Sequence, residues 1–203
     1  MKNPKDGSER PRPLFMLTAI CISAGSLLWA LTLARRTAAA EATALVDPLT
    51  GAFNRRGWDA LIDRETARAQ RAGTSMTIFI MDIDQIKVIN DRFGHQRGDR
   101  ILRDVAGAIR SSARAGDVLA RIGGDEFALL AVDDGSDLAE PLLGRLEAAL
   151  APLGVNVSVG FATAGPGEDP MPVMERADQQ MYQNKAARRA VTGTSVLGVE
   201  AFM

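Results

Sequence analysis

Cysteine and histidine are nearly absent from this sequence, which has one of each in 203 residues. The single cysteine, Cys21, excludes an intramolecular disulfide and any metal site built from several cysteines. The single histidine, His95, excludes a histidine-rich zinc centre. A zinc site that needs several cysteines or histidines is therefore excluded.

The sequence also lacks an excess of charge of either sign. Its 24 basic and 25 acidic residues leave a formal net charge of -1, which argues against a protein that holds a nucleic acid polymer through a general positive field. Specificity for a nucleotide would have to come from a local site. With 203 residues, 46% of them hydrophobic, the chain has room for one well-packed domain and an appendage, and a second large domain is excluded.

One segment near the N-terminus lacks charged residues altogether. Residues 14–34 carry no charge, and this run is long enough to span a bilayer as a helix. A cleaved signal peptide is the alternative, because residues 38–40 are alanines suited to cleavage, but its apolar core would normally be about 7 to 15 residues long. We predict a short tail over residues 1–13, a transmembrane helix over 14–34, a helical connector over 35–46 and a folded domain over 47–203.

Within the folded domain, a glycine pair separates two short apolar runs. Residues 118–122 and 127–132 form the runs, and Gly123 and Gly124 between them are a two-residue turn signal. Asp125 and Glu126 follow directly, so the predicted β-hairpin carries two carboxylates at its turn. Such a turn is a candidate metal and phosphate site. Taken alone, a Gly-Gly-Asp hairpin is more often only structural.

Two more carboxylates lie at the end of an apolar strand further upstream. The run from Met76 to Ile83 predicts a buried strand that runs straight into Asp82 and Asp84. Buried strands rarely end in two carboxylates without a reason. Hard divalent cations such as Mg²⁺ prefer oxygen ligands and usually take one or two carboxylates plus substrate phosphates. Asp82 and Asp125 on neighbouring strand ends would suit such a cation. The alternative is a pair of solvated aspartates.

The order of predicted elements is strand, helices, strand, strand, helix, strand. This order is the βαββαβ pattern of an α+β, ferredoxin-like fold, so we expect an antiparallel central sheet with helices on one face. The pattern also predicts an amphipathic helix over residues 55–71 before the first strand and a last strand over residues 195–199. The ends of the first and hairpin strands would lie side by side, which would bring Asp82 near Asp125.

Five segments, in this order, resemble those of the GGDEF family, the diguanylate cyclases. The resemblance covers residues 46–190 and includes the nucleotidyl-cyclase palm that this family is expected to share with polymerases. The segments are DPLTGAFNRR at 47–56, DIDQIKVINDRFGH at 82–95 with Gly98 and Asp99, RIGGDEF at 121–127, SVG at 158–160, and Ala177, Asp178, Tyr182 and Lys185 in the closing helix.

The resemblance implies a reaction and its catalytic residues. Two GTP molecules would be joined into cyclic di-GMP with release of two pyrophosphates, on a homodimer in which each domain carries one GTP. Mg²⁺ (or Mn²⁺) would be held by Asp82, Asp125 and the backbone carbonyl of Ile83, although the Ile83 side chain would be core in any case. Asp125 would also accept the proton, and Lys87 would meet the triphosphate or the transition-state charge.

The resemblance also implies the substrate-binding residues. Asn90 and Asp99 match the guanine-reading positions, and Gly123 and Gly124 would lie against the nucleotide. For two residues an alternative stays open. His95 either touches the nucleotide or packs to hold the turn at Gly94. Lys87 either meets phosphate or is an ordinary solvated lysine on a helix face. The phosphate clamp that the resemblance implies on the last helix consists of Lys185 and Arg189.

A regulatory site and a cellular location follow from the same resemblance. Arg114 and Asp117 resemble the inhibitory site at which such enzymes bind cyclic di-GMP, although a helix end and a strand start would give the same residues. Because a domain that uses GTP needs the cytosol, we expect a single-pass protein of the bacterial inner membrane, anchored through residues 14–34, with a cytoplasmic catalytic domain. The alternatives are a non-enzymatic receptor for GTP or cyclic di-GMP and a cyclase that makes cyclic AMP from ATP.

Overall fold

The computed structural model describes Trp29 and residues 45–132, 138–165 and 167–192. The chain divides into two compact units, Met1–Ala44 and Leu45–Met203. The predicted tail, nearly all of the predicted membrane span and connector, and the predicted last strand over 195–199 lie outside the described residues. The predicted boundaries between these segments stay predictions.

The second unit is built on a five-stranded sheet with the order β1-β3-β4-β2-β5. The central strand β2 pairs antiparallel with β4 on one side and with β5 on the other. The strands are β1 (Phe53–Asn54), β2 (Met76–Ile83), β3 (Val118–Arg121), β4 (Glu126–Val132) and β5 (Val157–Ala164).

The predicted α+β fold is confirmed, and the sheet differs from prediction in one respect. It is mixed rather than antiparallel, because β1 pairs with β3 in parallel, with Phe53 opposite Ala120. The strand consists of two residues, which is too short for any alternation of apolar and polar side chains to announce it.

Five α-helices and one short 3₁₀ turn complete the described part of this unit. They are α1 (Arg55–Ala72), α2 (Ile86–Phe93), α3 (His95–Ser112), α4 (Ala139–Leu150), the 3₁₀ turn Ala151–Leu153 and α5 (Pro170–Thr192). The Asn54 side chain caps α1 by accepting a hydrogen bond from Gly57 N at 3.0 Å. Gly73 ends α1 with φ 65°, in the left-handed region that favours glycine.

Helices cover both faces of the sheet, and the expectation of one covered face is wrong. Every residue of β2 is buried. Phe79, Met81 and Ile83 point into a core shared with α2, α3 and α4. Ile78 and Ile80 point the other way, into a core shared with α1 and α5. A strand buried on both faces reads as a continuous apolar run rather than an alternating one, as β2 does.

The predicted membrane location is wrong on the part of the chain that the structure describes. None of the helices there is both long and apolar enough to cross a membrane. The longest of them, α5, has 23 residues, but charged side chains recur along it, among them Glu175, Arg176, Lys185 and Arg188. The assignment to the bacterial inner membrane is corrected accordingly.

Candidate functional site

The three predicted metal-binding residues meet where β2 ends. Asp82 lies opposite Glu126 of β4 and Ser158 of β5 in the sheet register. The next residue, Ile83, donates a backbone hydrogen bond to the carbonyl oxygen of Asp125 at 3.1 Å. The pairing of the strands therefore brings the predicted set of Asp82, Ile83 and Asp125 together at one end of β2.

The last helix, α5, places a lysine at this end of β2. Lys185 Nζ lies 2.5 Å from Asp82 Oδ1 and 3.8 Å from Asp84 Oδ1. The side chains of Lys185 and Asp82 are 18% and 10% exposed, so the ion pair is largely shielded from water. Lys185 was predicted to bind phosphate, and the structure places it directly on a predicted metal carboxylate.

Asp84 is a member of this cluster that the sequence marked as a strand-end carboxylate without predicting a role for it. Its Oδ2 accepts a hydrogen bond from Ser158 Oγ at 3.1 Å and lies 3.8 Å from Arg188 Nη1. Its Oδ1 is buried and accepts no hydrogen bond. The signal was the spacing Asp-Ile-Asp, in which Asp84 directly follows the last residue of β2. Residues two apart in extended chain point to the same side. Arg189, the predicted clamp residue, is exposed, and the neighbouring Arg188 reaches the cluster instead.

The hairpin turn is wider than a two-residue turn. Strand β3 ends at Arg121 and β4 begins at Glu126, and Glu126 O accepts a hydrogen bond from Ile122 N at 2.9 Å. A Cβ at Gly123 would overlap the Glu126 carboxylate and lie 3.1 Å from its Cδ. The absence of a side chain at Gly123 is therefore what lets Glu126 fold back along the turn.

Glu126 is the second member that the sequence marked as a carboxylate without predicting a role for it. Burial raises the pKa of its carboxyl, and the negative charges of Asp82, Asp125 and Asp178 raise it further, while Lys185 opposes them. A carboxyl group crowded by like charges holds its proton more tightly. The strand ends thus form a region of negative potential in which a cation is favoured.

A salt bridge ties the hairpin turn to the start of the domain. Arg121 donates to Gly124 O from Nη2 at 2.6 Å, and its Nη1 lies 3.3 Å from Asp47 Oδ1. Burial alone would raise the pKa of Asp47, but hydrogen bonds from the hydroxyl and N–H of Thr50, together with the Arg121 guanidinium, outweigh burial and lower this pKa. The backbone next to Asp125 is therefore fixed by a contact with the first residues of the domain.

The predicted guanine-reading residues lie on α2 and α3. Asn90 is half-buried on α2, and its Oδ1 is buried without a hydrogen bond. A Cβ on Gly98 of α3 would overlap this oxygen and lie 2.9 Å from Asn90 Cγ. Asp99, next to Gly98, is half-buried, whereas His95 is exposed at the first position of α3. Gly98 thus gives the Asn90 amide its place.

Lys87 is the remaining residue predicted for the reaction. It is the second residue of α2 and is exposed. Among the residues predicted for metal, phosphate and guanine binding, the structure joins Asp82 to Lys185 and Ile83 to Asp125 by direct contacts.

The predicted regulatory pair lies at the opposite end of β3 from the turn. Asp117 Oδ2 accepts a hydrogen bond from Arg114 N at 2.7 Å, and Asp117 N donates to Arg114 O at 3.0 Å. Burial raises the pKa of Asp117, against the opposing effects of the Arg114 N–H and of the Arg114 and Arg145 charges. Cavities of about 320 and 330 Å³ each include both Arg114 and Asp117 in their lining. The pair forms a turn between two open surfaces.

The donor set at the strand ends suits a hard divalent cation. Among the residues that the structure describes, no three Asp, Glu, His or Cys side chains are arranged to hold a metal. Asp82, Asp125 and the Ile83 carbonyl instead offer two carboxylates and one main-chain oxygen, and Mg²⁺ usually completes its shell with water and substrate phosphates. The ammonium group of Lys185 on Asp82 shows that a cation can be accommodated at this carboxylate.

A family model described as "Diguanylate cyclase, GGDEF domain" matches residues 44–190. Diguanylate cyclase DgcP of Pseudomonas aeruginosa is 39% identical over 155 residues, which are 72% of this chain and 23% of DgcP. Response regulator PleD of Caulobacter vibrioides is 38% identical over 165 residues, which are 74% of this chain and 36% of PleD. The chain thus spans between about a fifth and two fifths of the length of these relatives.

The fold is shared with solved domains of the same kind. The crystal structure of the GGDEF domain of DgcB from Caulobacter crescentus, in complex with c-di-GMP, superposes with a TM-score of 0.66 at 35% identity, over 71% of this chain and 91% of that domain. These similarities confirm the resemblance that the five sequence segments indicate.

Proposed function

This chain belongs to the GGDEF family of diguanylate cyclase domains, and from that premise we propose that it condenses two molecules of GTP into cyclic di-GMP and two pyrophosphates. The observation that supports this proposal best is that predicted metal-binding and phosphate-binding residues lie together where β2 ends. There, Lys185 is paired with Asp82, and Ile83 is hydrogen-bonded to the backbone of Asp125. Acidic oxygens that can hold a metal ion, and a basic side chain that can meet the triphosphate, are what nucleotidyl transfer needs.

Asp82, Asp125 and the Ile83 carbonyl would hold Mg²⁺ (or Mn²⁺). The bound metal would neutralise charge on the triphosphate and polarise the phosphoryl oxygens. Asp125 would take the proton as the 3′-hydroxyl of one GTP attacks the α-phosphate of the other. In each of the two steps a bond forms between the 3′-oxygen and the α-phosphorus. The bond from the α-phosphorus to the oxygen that bridges to the β-phosphate breaks, and pyrophosphate leaves.

The basic residues would bind the triphosphate. Lys185 would leave Asp82 for the phosphates when the substrate enters, and Lys87 at the start of α2 would contribute a second positive charge. Arg189 is retained as a phosphate ligand. Its exposed position implies that it would have to turn toward the site.

Asn90 and Asp99 would read the guanine base. Guanine offers an N–H and an amino group to a carboxylate and an O6 to a donor, and a side-chain amide together with a carboxylate meets both needs. Adenine would leave these site groups unpaired, which disfavours it. His95 and the backbone at Gly123 and Gly124 would contact the same nucleotide.

The domain would act as a homodimer, because one site holds one GTP and two must face each other. Cyclic di-GMP bound at Arg114 and Asp117 would restrain synthesis. The cavities on both sides of this pair support binding there, away from the strand-end carboxylates.

Incubation of the purified chain with GTP and Mg²⁺, followed by mass identification of the products, tests the proposal. We expect cyclic di-GMP from GTP and no cyclic product from ATP. Recovery of GTP unchanged, with GTP or cyclic di-GMP retained on the protein, would instead establish the receptor function. Cyclic AMP from ATP would establish the alternative cyclase.

A further inference from the structure

Four polar side chains of α5 line the free edge of β5. In the described part of the chain, β5 pairs with β2 on one side, and its other edge faces these side chains. From one end of β5 to the other, Arg176 donates to Thr163 O at 3.3 Å, Gln180 Oε1 accepts from Phe161 N at 2.5 Å, Asn184 donates to Val159 O at 2.9 Å, and Arg188 donates to Val157 O at 2.9 Å. We call this set the α5 ladder.

The α5 ladder has matching repeats on the two elements. Its members are four residues apart on α5, which is an axial rise of about 6.0 Å. Their partners are two residues apart on β5, which is about 6.6 Å. Side chains on the helix can therefore occupy successive outward-facing backbone groups of the strand, as a neighbouring strand would.

A close backbone approach reinforces this registration. A Cβ at Gly160 of β5 would overlap Met181 N and Ala177 O and lie 2.7 Å from Met181 Cα. Ala177 and Met181 are buried, and Lys185 follows Met181 by four residues on the same stripe of α5. The stripe that packs on the sheet thus ends in the lysine that reaches Asp82, and the α5 ladder runs beside it.

We infer that Gln180 and Asn184 are positioning residues, which fix the rotation and register of α5 on β5 and so hold Lys185 at the strand-end carboxylates. This inference rests on the proposed function for its catalytic consequence. Arg176 also pairs with Glu168 at 2.7 Å, and Arg188 lies near Asp84. The two amides are therefore the members whose substitution alters the α5 ladder without altering an ion pair.

The polarity of each hydrogen bond gives a test that a general packing role would not pass. Gln180 accepts from an N–H, so Gln180→Glu keeps the contact while Gln180→Leu loses it. Asn184 donates to a carbonyl, so Asn184→Asp loses the contact and places two acceptors together. Gln183→Leu is the matched control, because Gln183 is exposed on the same turn of the helix.

The first measurement is kcat/KM for GTP in the full chain. We expect a loss of roughly 10- to 100-fold for Gln180→Leu and Asn184→Asp, since a displacement of about 1 Å can cost that much. Gln180→Glu and Gln183→Leu should remain within about twofold of the parent. In a Lys185→Met background, Gln180→Leu should add little, because the residue that the α5 ladder positions is already gone. Equal losses for Gln180→Glu and Gln180→Leu, or full additivity with Lys185→Met, would overturn the inference.

A second measurement does not depend on catalysis. Hydrogen exchange at the Phe161 amide and the ¹⁵Nζ resonance of Lys185 report on the α5 ladder and on the ion pair with Asp82. Both should change in Gln180→Leu and stay parent-like in Gln180→Glu. If the parent makes no cyclic di-GMP, the proposed function fails, and these spectra still decide the positioning role. An unchanged Lys185 resonance in Gln180→Leu would refute it.

Discussion

The ammonium group of Lys185 lies 2.5 Å from the Oδ1 atom of Asp82, at the carboxylate where the metal would bind. Under the proposed function, lysine and metal would therefore compete for the same oxygen before substrate is present. Removal of Lys185 leaves a largely buried carboxylate without its partner, which costs up to about 3 kcal/mol. A metal that binds only the folded state would then restore stability.

We predict that Lys185→Met unfolds at a lower temperature than the parent without metal, and that Mn²⁺ or Mg²⁺ raises its Tm more than that of the parent. Thermal melts over a metal titration, without nucleotide, check this. Arg189→Met, on the exposed side of the same helix, is the control. An equal metal-induced shift in all three proteins would place the metal away from Asp82.

Asp125→Asn should abolish cyclic di-GMP synthesis while the fold is retained. The amide binds a hard cation poorly and cannot take the proton of the attacking hydroxyl. Product formation and the circular dichroism spectrum are the measurements, and Asp104→Asn, an exposed aspartate on α3, is the matched control. Full activity in a folded Asp125→Asn protein would remove this residue from the mechanism.

Gly98→Ala should narrow the preference for GTP over ATP. The added methyl group would overlap the Asn90 side-chain oxygen and displace the amide that is proposed to read guanine. In an Asn90→Ala background the clash is gone, and the same substitution should stabilise the helix by about 0.5–1 kcal/mol.

Gly107→Ala is the control for this prediction, because nothing lies within 4 Å of a Cβ at Gly107 on the same helix. Binding of GTP and ATP and urea denaturation give the two readouts. An unchanged ratio of GTP to ATP affinity in Gly98→Ala would show that the Asn90 amide does not set base choice.

Arg114→Ala should keep initial rates near those of the parent and lose the slowing that accumulating product causes. The guanidinium can clamp guanine or phosphate of a bound cyclic di-GMP, and Asp117 can accept from a guanine edge. Progress curves with and without added cyclic di-GMP measure the effect, and Arg103→Ala on the exposed face of α3 is the control. If Arg114→Ala and the parent slow identically, the pair is only a helix end and a strand start.

Asp47→Asn should reduce the loss in free energy of unfolding that the parent shows as the pH falls below about 4. Because the pKa of Asp47 is lower in the folded chain than its ordinary value of 3.8, the folded state binds fewer protons here than the unfolded state. The resulting stability is present above about pH 4 and is lost as pH falls through the folded pKa.

The pKa values of Asp117 and Glu126 are raised in the folded chain, so at these groups the folded state binds more protons than the unfolded state. Their effect on the pH dependence of stability is therefore opposite to that of Asp47. The measurement is therefore the difference between parent and Asp47→Asn in the free energy of unfolding, from pH 2 to 7. A difference that does not shrink toward low pH would contradict the assigned role of the Asp47 carboxylate.

The sequence predicts the strand-end cluster well because its members follow from local rules. Asp82 ends an apolar run, Asp125 follows a glycine turn, and both were placed at one edge by the order of the elements. The family segments add Lys185, whose sequence position alone says nothing about where it points. The roles of these residues remain predictions, although their convergence is a fact of the structure.

The features that the sequence did not reveal depend on contacts between distant segments. The two-residue strand β1 exists through its pairing with β3, and the seating of Asn90 depends on the missing side chain of Gly98. The covered second face had a local signal, since β2 shows no alternation of apolar and polar residues. The role of Gln180 required knowledge of which edge of β5 faces α5.

The most direct test of the proposed activity counts products in one reaction. Pyrophosphate and cyclic di-GMP should appear together in a ratio of two to one when the chain is supplied with GTP and Mg²⁺, and both should be absent with Asp125→Asn. Release of inorganic phosphate, pyrophosphate without a cyclic dinucleotide, or GTP that is bound and returned unchanged would contradict the assignment as a diguanylate cyclase.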